Sequence, residues 1–315
     1  MKKQLFIFAI SALALLAGCA KTESASPAGP RAAGADGRAI TFAVYETPSR
    51  VSVSDESSLR AGGFSVTGVA SDGHMRFDGK LAEYDSEARV FRTAVPYYFP
   101  TEATMDFFAV HPASCLMQAS GDSVLFVCEQ FPGDGQQDVV CAVSRDVAHS
   151  DDAVVLGFDH ILSQLRLSVR GTDELVDYVL RGIEISGSAA GAYELGTKGW
   201  ELSERDTTIR FAFEDADAVE LEKGAKASLF AGEGFTLIPG AFTVTVSWDC
   251  YMDGSLVASY ISTTPSITLG MGCCHDVCLA LSNSLAKPVS FLVTISDWRI
   301  VTQEVDLSDG ASARP

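Results

Sequence analysis

Short stretches of alternating apolar and polar residues recur along most of this chain, and a period of two is typical of β-strands. The clearest stretch begins at Leu165, where Leu165, Leu167 and Val169 alternate with polar neighbours. The other stretches of this kind are 40–44, 64–69, 242–248 and 291–295, and 106–110 is a compact aromatic and aliphatic stretch. Turn-forming Gly and Pro residues separate them, at 132–135, 239–240, 253–254 and 270–272. Many short strands divided in this way predict an all-β protein built of β-sandwiches, without long helices.

One stretch carries two patterns. Phe158, Ile161, Leu162 and Leu165 recur at helical spacing just before the strand that begins at Leu165. A short helical turn and a bend between two strands both fit this spacing, so both interpretations stay open.

The N-terminal residues 1–18 are typical of a bacterial lipoprotein signal peptide. Two lysines precede an apolar stretch, Leu5–Leu16, that is too short to span a bilayer as a stable helix. The next residues resemble a lipobox, which places the cleavage between Gly18 and Cys19 and acylation on the Cys19 sulfur. Several acyl chains, such as palmitate, would hold the mature protein durably in a membrane. An ordinary secretory signal that ends near a cysteine is the alternative.

The composition also suggests how the mature chain is divided. Residues 19–37 are rich in Ala, Ser, Pro and Gly and predict a flexible tether, because such a stretch buries too little apolar surface to offset its ordering entropy. A polar stretch near residue 150 then interrupts the strand pattern. We therefore expect an N-terminal β-sandwich domain at 38–152 and a C-terminal one at 153–315.

The charge balance excludes one class of partner. The chain has 23 Lys and Arg residues against 41 Asp and Glu residues, a formal net charge of −18. This charge repels phosphate backbones and anionic lipid head groups, so we predict no nucleic-acid partner and no electrostatic docking to a membrane.

Few residues suggest catalysis or metal binding. If Cys19 is acylated, seven thiols remain, an odd number that cannot all pair within the chain. The cluster Cys273–Cys278 could hold zinc, form a disulfide or simply pack in a core. The sequence has no HExxH zinc motif, GxSxG elbow, phosphate-binding loop or dinucleotide fingerprint. We therefore predict no catalytic residues, no metal, no cofactor and no enzymatic activity.

Several aromatic residues leave a second function open. They are Trp200, Trp248, Trp298 and the run Tyr97–Phe99. Exposed rings could stack on sugars, whereas rings in a sandwich usually fill its core. A surface glycan-binding lipoprotein that does not polymerise is thus the alternative function.

A set of short motifs follows the lipobox and the first strand in a fixed order. They are YYFP (97–100), MDFFAV (105–110), QDVVCA (137–142), LGFDHILSQL (156–165), LIP (237–239) and VTISDW (293–298). In order and spacing they resemble the fimbrillin-like (Mfa-like) lipoproteins of anaerobic gut and oral bacteria. Phe99 stands where that family often has Trp, and the Cys273–Cys278 cluster is not a recognised family feature.

The resemblance implies two transthyretin-like β-sandwich domains in a stalk, tip or anchor subunit of a fimbria. Such a lipoprotein is exposed at the cell surface on the outer membrane and mediates adhesion. Its partners are other fimbrial subunits, the membrane through the lipid anchor, and a host or bacterial surface ligand. In the family, a protease cuts after an arginine in the loop beyond the first strand, and a segment of another subunit fills the groove that this strand leaves.

The family mechanism can be placed on this sequence. Ile40, Phe42 and Val44 lie on one face of the predicted first strand. At about 1.5–3 kcal/mol per side chain, their release would expose roughly 5–9 kcal/mol of apolar surface, an upper estimate. Arg50 is the first arginine after this strand and Arg60 the second, and both are expected in a loop. Cleavage at Arg50, cleavage at Arg60 and no cleavage stay open.

The donor segment is placed near the C-terminus, at 300–307. Val301, Val305 and Leu307 share one face of this stretch. The stretch could equally be the last strand of its own domain.

Overall fold

The computed structural model describes residues 39–44, 53–115, 117–120, 123–130, 137–150, 152–213, 219–221, 225–230, 234–283, 289–297 and 303–306. Five predicted site residues lie outside these ranges: Gly18, Cys19, Arg50, Val301 and Leu307. The predicted signal peptide, 1–18, and the predicted tether, 19–37, also lie outside these ranges. The first described residues, 39–44, include the strand expected after the tether.

The described chain is almost entirely β-structure, which confirms the all-β class. The first elements are β1 (Phe42–Val44), α1 (Val53–Gly62), β2 (Phe64–Ala70), β3 (Met75–Asp85), β4 (Val90–Thr93), β5 (Met105–His111), β6 (Met117–Ser120), β7 (Ser123–Glu129), β8 (Val140–Val147), β9 (Val154–Leu156), β10 (Phe158–His160) and β11 (Ser163–Gly171). The next are β12 (Asp177–Ser188), β13 (Ala190–Glu194), β14 (Gly199–Leu202), β15 (Asp206–Ala212), β16 (Val219–Leu221), β17 (Ala227–Ser228) and β18 (Phe235–Leu237). The last are β19 (Gly240–Met252), β20 (Ser255–Thr263), β21 (Ile267–Leu269), β22 (Cys273–Leu281), β23 (Val289–Asp297) and β24 (Gln303–Asp306).

Eight strands form the first sheet, in the order β10-β8-β5-β2-β3-β4-β1-β9. The sheet folds over on itself, because Phe42 of β1 contacts Phe64 of β2 and Phe107 of β5 across several strand positions. One face therefore encloses a core, which Leu59 of α1 also enters. Burying one face in this way is what period-two alternation predicts.

A second, four-stranded sheet, β14-β13-β7-β6, covers the other face of the first sheet near β5 and β8. Phe108 and Cys141 of the first sheet share this core with Phe126 and Tyr193. The sheet joins strands from both sides of residue 152, because β7 pairs with β13. The strands β9 and β10 also lie beyond that residue and complete the first sheet. These pairings do not test where one domain ends and the next begins, so the domain boundary at residue 152 stays a prediction.

The C-terminal strands form a sandwich of two sheets. One has the order β17-β11-β22-β23-β24 with β18 beside β11, and the other has the order β15-β12-β19-β20 with β16 and β21 at its sides. Their shared core includes Leu167 of β11, Ile185 of β12 and Leu279 of β22. The predicted inward series of β19 is confirmed, since Phe242, Val244, Val246 and Trp248 are all buried.

One local expectation is wrong, and one of two open interpretations is confirmed. The expected loop around Arg60 is wrong, because residues 53–62 form helix α1 with Arg60 in its last turn. Arg60 in the last turn complements the helix dipole, and the fully buried Leu59 docks the helix on the core. At 158–165 the chain forms β10, a break and β11 rather than a helical turn. Among the described residues, no helix has the length and apolar character needed to cross a membrane.

Candidate functional site

The strand β1 lies inside the first sheet, between β4 and β9. It runs antiparallel to β4, with Phe42 opposite Phe91. It runs parallel to β9, with Phe42 opposite Val154. The amide of Val154 donates to the Thr41 carbonyl at 2.8 Å. The three-residue strand thus joins two strands that do not pair with each other in the described part of the sheet.

The apolar face of β1 lies in the core. The Phe42 side chain is 1% exposed, Ile40 is also buried, and Val44 packs against the same cluster while half-buried. The Phe42 ring meets Phe64 and Phe107 in edge-on geometry, with centroids 5.9 and 5.4 Å away. All three side chains predicted to share one face of this strand therefore contact one core, and the groove beneath them is lined by aromatic rings.

A cleft of about 990 Å³ borders the start of β1. Ile40 and Thr41 line one side, and the turn that begins at Asp85 lines the other. The Asp85 carboxylate accepts hydrogen bonds from the amides of Glu87 and Ala88, which lower its pKa, and it also pairs with Arg92. The cleft gives solvent access to the N-terminal end of β1.

The helix that follows β1 in sequence carries the second predicted cleavage residue. The Arg60 guanidinium lies over the Tyr84 ring, 5.0 Å from its centroid, and Tyr84 packs against Phe91. The side chain of Arg60 is exposed. Arg60 is therefore accessible, but its backbone is helical and its charge is held against an aromatic ring.

Sequence reasoning missed a serine–histidine contact at the same helix. The Ser58 Oγ lies 3.0 Å from His111 Nε2, and His111 Nδ1 lies 2.7 Å from the Gly63 carbonyl oxygen. Serine beside imidazole can act as nucleophile and base. Here, however, a backbone carbonyl rather than a carboxylate orients the imidazole, and the two bonds fasten α1 to β5. No sequence signal reveals this pair, because the two residues are 53 positions apart.

The cysteines form no disulfide within the described ranges. Seven cysteines lie there, and no group of three or more metal-ligating side chains comes together among the described residues. In the cluster 273–278, Cys274 and Cys278 are buried. His275 of that cluster is 1% exposed, and its Nε2 accepts a hydrogen bond from the Gly270 amide at 2.9 Å. Cys274, His275 and Cys278 thus pack in the protein interior, whereas Cys273 is half-buried.

Most of the aromatic residues singled out in the sequence also serve the cores. Trp248 is fully buried and stacks on Tyr260. Trp200 donates from its indole nitrogen to the Ile161 carbonyl at 2.8 Å. Tyr97 packs on Phe77 at 4.5 Å, whereas Tyr98 is exposed. Trp298 lies outside the described residues.

The predicted donor stretch is described only as β24, which includes Val305. This strand pairs antiparallel with β23, with Val305 opposite Val293, and forms one edge of its sheet. Residues 303–306 thus occupy the position of a last strand in their own sandwich, and the donor role stays a prediction.

These features define an all-β scaffold in which a short first strand completes a sheet and its aromatic core. The chain belongs to the fimbrillin-like family, whose family model matches residues 59–298. The matched range begins after β1 and ends before β24. No curated protein matches the chain.

Solved structures share the fold. A fimbrial protein from Bacteroides vulgatus is 15% identical, with a TM-score of 0.64 over 83% of this chain and 100% of its own. A candidate cell adhesion protein from Parabacteroides distasonis is 11% identical, with a TM-score of 0.52 over 84% of this chain and 97% of its own. At these identities the likeness establishes a common fold.

Proposed function

We propose that this protein is a non-catalytic structural subunit of a cell-surface fimbria, assembled by strand exchange and contributing to adhesion. The observation that carries the proposal is the position of β1, whose apolar face is buried in the core and whose two neighbouring strands do not pair with each other among the described residues. Membership of the fimbrillin-like family supports this function. The fimbrial and candidate adhesion proteins that share the fold support it as well.

The pairing of β1 specifies what could replace it. A new strand must run parallel to β9 and antiparallel to β4, as β1 does. It must also place alternate apolar side chains where Phe42 and Ile40 lie. A strand that meets these conditions restores both ladders and covers the aromatic groove, so exchange with a neighbouring subunit is favourable.

The lipid anchor of the subunit is proposed from the sequence. Cleavage between Gly18 and Cys19 and acylation of Cys19 would anchor the protein in the outer membrane, with residues 19–37 as a tether. The partners are then other fimbrial subunits, and a host or bacterial surface ligand at the free end of the polymer.

Release of β1 requires a cut between that strand and the body. We place it after Arg50 in the first instance and after Arg60 in the second. Proteases act most readily on exposed, weakly held backbone. Arg60 is helical and stacked on Tyr84, so α1 must partly unwind before a protease can bind it.

The experiment treats the purified mature protein with an arginine-specific protease and follows its size on SDS gels. We expect SDS-resistant multimers after cleavage, with new N-termini at Val51 or Ala61. Arg50→Gln or Arg60→Gln should abolish multimers, according to which bond is used. Arg89→Gln, in the turn after β3, is the matched control and should leave them unchanged. Clean cutting at Arg50 or Arg60 that leaves only monomer would overturn the proposal.

The donor is tested with the same assay. Val305→Asp would place a charge in the proposed donor segment, 300–307, and should reduce multimers while cleavage proceeds normally. Val305→Ile keeps an apolar side chain and should not. Equal multimer formation by both variants would exclude this segment as the donor and leave the cleavage result unaffected.

A further inference from the structure

The strand β20 forms an unusually open edge. It pairs with β19 on one side, and within the described chain no strand pairs with its other side. Half of the backbone amide and carbonyl groups of an edge strand point away from its neighbour and can pair with another strand. Over its nine residues β20 contains no charged residue, no Pro and no Gly.

The other edges of the main sheets are protected against such pairing. The edge strands β6, β9, β10, β14, β17 and β24 have two to four residues each. The remaining one, β15, has seven residues but carries Asp206 and Arg210. Short or charged edges are the usual means by which proteins prevent pairing between molecules. Only β20 lacks both features among the edge strands at the ends of the four described sheets.

The β20 edge also carries exposed apolar side chains. Val257 is 60% exposed and Ile261 is 61% exposed, and Ser259 lies between them on the same face. The Ser259 hydroxyl donates to Asp249 at 2.6 Å on this outer face, whereas Tyr260 turns inward and stacks on Trp248. A β-bulge at the start of the strand leaves Leu256 exposed beside Val257.

We infer that this edge pairs antiparallel with the same edge of a second copy of the chain, which joins two C-terminal sheets into one. Two observations favour a second copy as the occupant. First, β20 carries no charged residue, so two copies can meet at this edge without opposing like charges although the whole chain has a formal net charge of −18. The order Val257, Ser259, Ile261 is also self-complementary about its centre. With Ser259 on a twofold axis, each Val257 faces the partner's Ile261.

This contact is separate from strand exchange. The strand β20 belongs to the C-terminal sandwich, and its edge is exposed while β1 is in place. The pairing therefore requires no cleavage and can be tested on the uncut protein. Failure of multimers to form after proteolysis would leave this inference unaffected.

Cysteine cross-linking of the full, uncut chain tests the pairing. Ser259→Cys would bring the sulfurs of two copies into opposition across the paired edges. We expect about tenfold more disulfide dimer than with Leu175→Cys, because an opposed pair holds its sulfurs within bonding distance. Leu175 is 77% exposed in the turn between β11 and β12 and provides the matched control. The wild-type chain gives the background from the native cysteines, and reductant should remove the dimer.

A second pair of variants separates edge pairing from random collision. Ile261→Asp in the Ser259→Cys background should return the dimer to the control level, while Ile261→Thr should retain it, because only the first places a charge on each edge. Circular dichroism checks that both variants are folded. Equal dimer from Ser259→Cys and Leu175→Cys, insensitivity to Ile261→Asp, or cross-linking only to other proteins would overturn the inference.

Discussion

Phe42 of β1 stands edge-on against Phe107 of β5, with ring centroids 5.4 Å apart and ring planes at 80°. The two strands are separated by β4, β3 and β2 in the sheet order, so this contact exists only because the sheet folds over. Edge-on pairs of this kind add stability beyond the buried area alone. A strand of three residues consequently closes one side of the core.

Replacing Phe42 by Ala should therefore destabilise the uncut protein strongly. We expect a loss of about 3–5 kcal/mol in the free energy of unfolding, because a large cavity forms among Phe64 and Phe107. Thr41→Ala is the control, since it keeps the backbone bond to Val154 and should change stability by less than about 1 kcal/mol. Urea denaturation measures both, and equal losses would mean that Phe42 has no special place in the core.

Release of β1 should expose the backbone of β9 in particular. Within the described residues, β1 is the strand that pairs with β9, so amide exchange at 154–156 should accelerate after cleavage. The strand β8 keeps its partner β5 and should retain its protection. Hydrogen exchange followed by mass spectrometry compares the two peptides. Unchanged exchange at 154–156 in cut protein would show that β1 had not left.

Gly63 should tolerate substitution less well than Gly73. Both have positive φ, 64° and 78°, so Ala at either position costs about 1–2 kcal/mol. A Cβ at Gly63 would also lie 2.4 Å from the Ala82 carbonyl oxygen, whereas one at Gly73 meets nothing within 4 Å. We therefore expect a total loss of about 3 kcal/mol for Gly63→Ala, measured by thermal unfolding. Equal effects would indicate that the junction between α1 and β2 can shift.

His275 should make the protein less stable in weak acid. Burial lowers its pKa below the ordinary 6.5, so the unfolded chain takes up a proton at a pH where the folded imidazole is still neutral. The free energy of unfolding therefore keeps its full value above pH 6.5, as far as His275 is concerned. It falls as the pH decreases toward the pKa of His275 in the folded protein. His275→Gln should flatten this dependence, because it removes the buried imidazole. Identical slopes between about pH 7 and pH 5 for His275→Gln and the wild type would contradict this.

The helix α1 shows where sequence patterns were insufficient. It is ten residues long and largely polar, and Leu59 is the one apolar residue fully buried among its described side chains, so its apolar periodicity is too weak to predict a helix. Docking of Leu59 and the bonds from His111 to Ser58 and Gly63 stabilise it from outside. Tertiary contacts of this kind override local propensity.

Local sequence patterns predicted several of the strands and which of their side chains face the core. The buried series in β11 and β19, and the burial of Ile40 and Phe42, follow from alternation, because a strand with one buried face must alternate. The pairing of strands and side chains depended on the tertiary structure. It placed β1 parallel to β9, joined β7 to β13, and brought His160 Nδ1 within 2.7 Å of an Asp138 carboxylate oxygen. Such pairings depend on where distant segments meet as the sheets close, and local periodicity carries no information about that meeting.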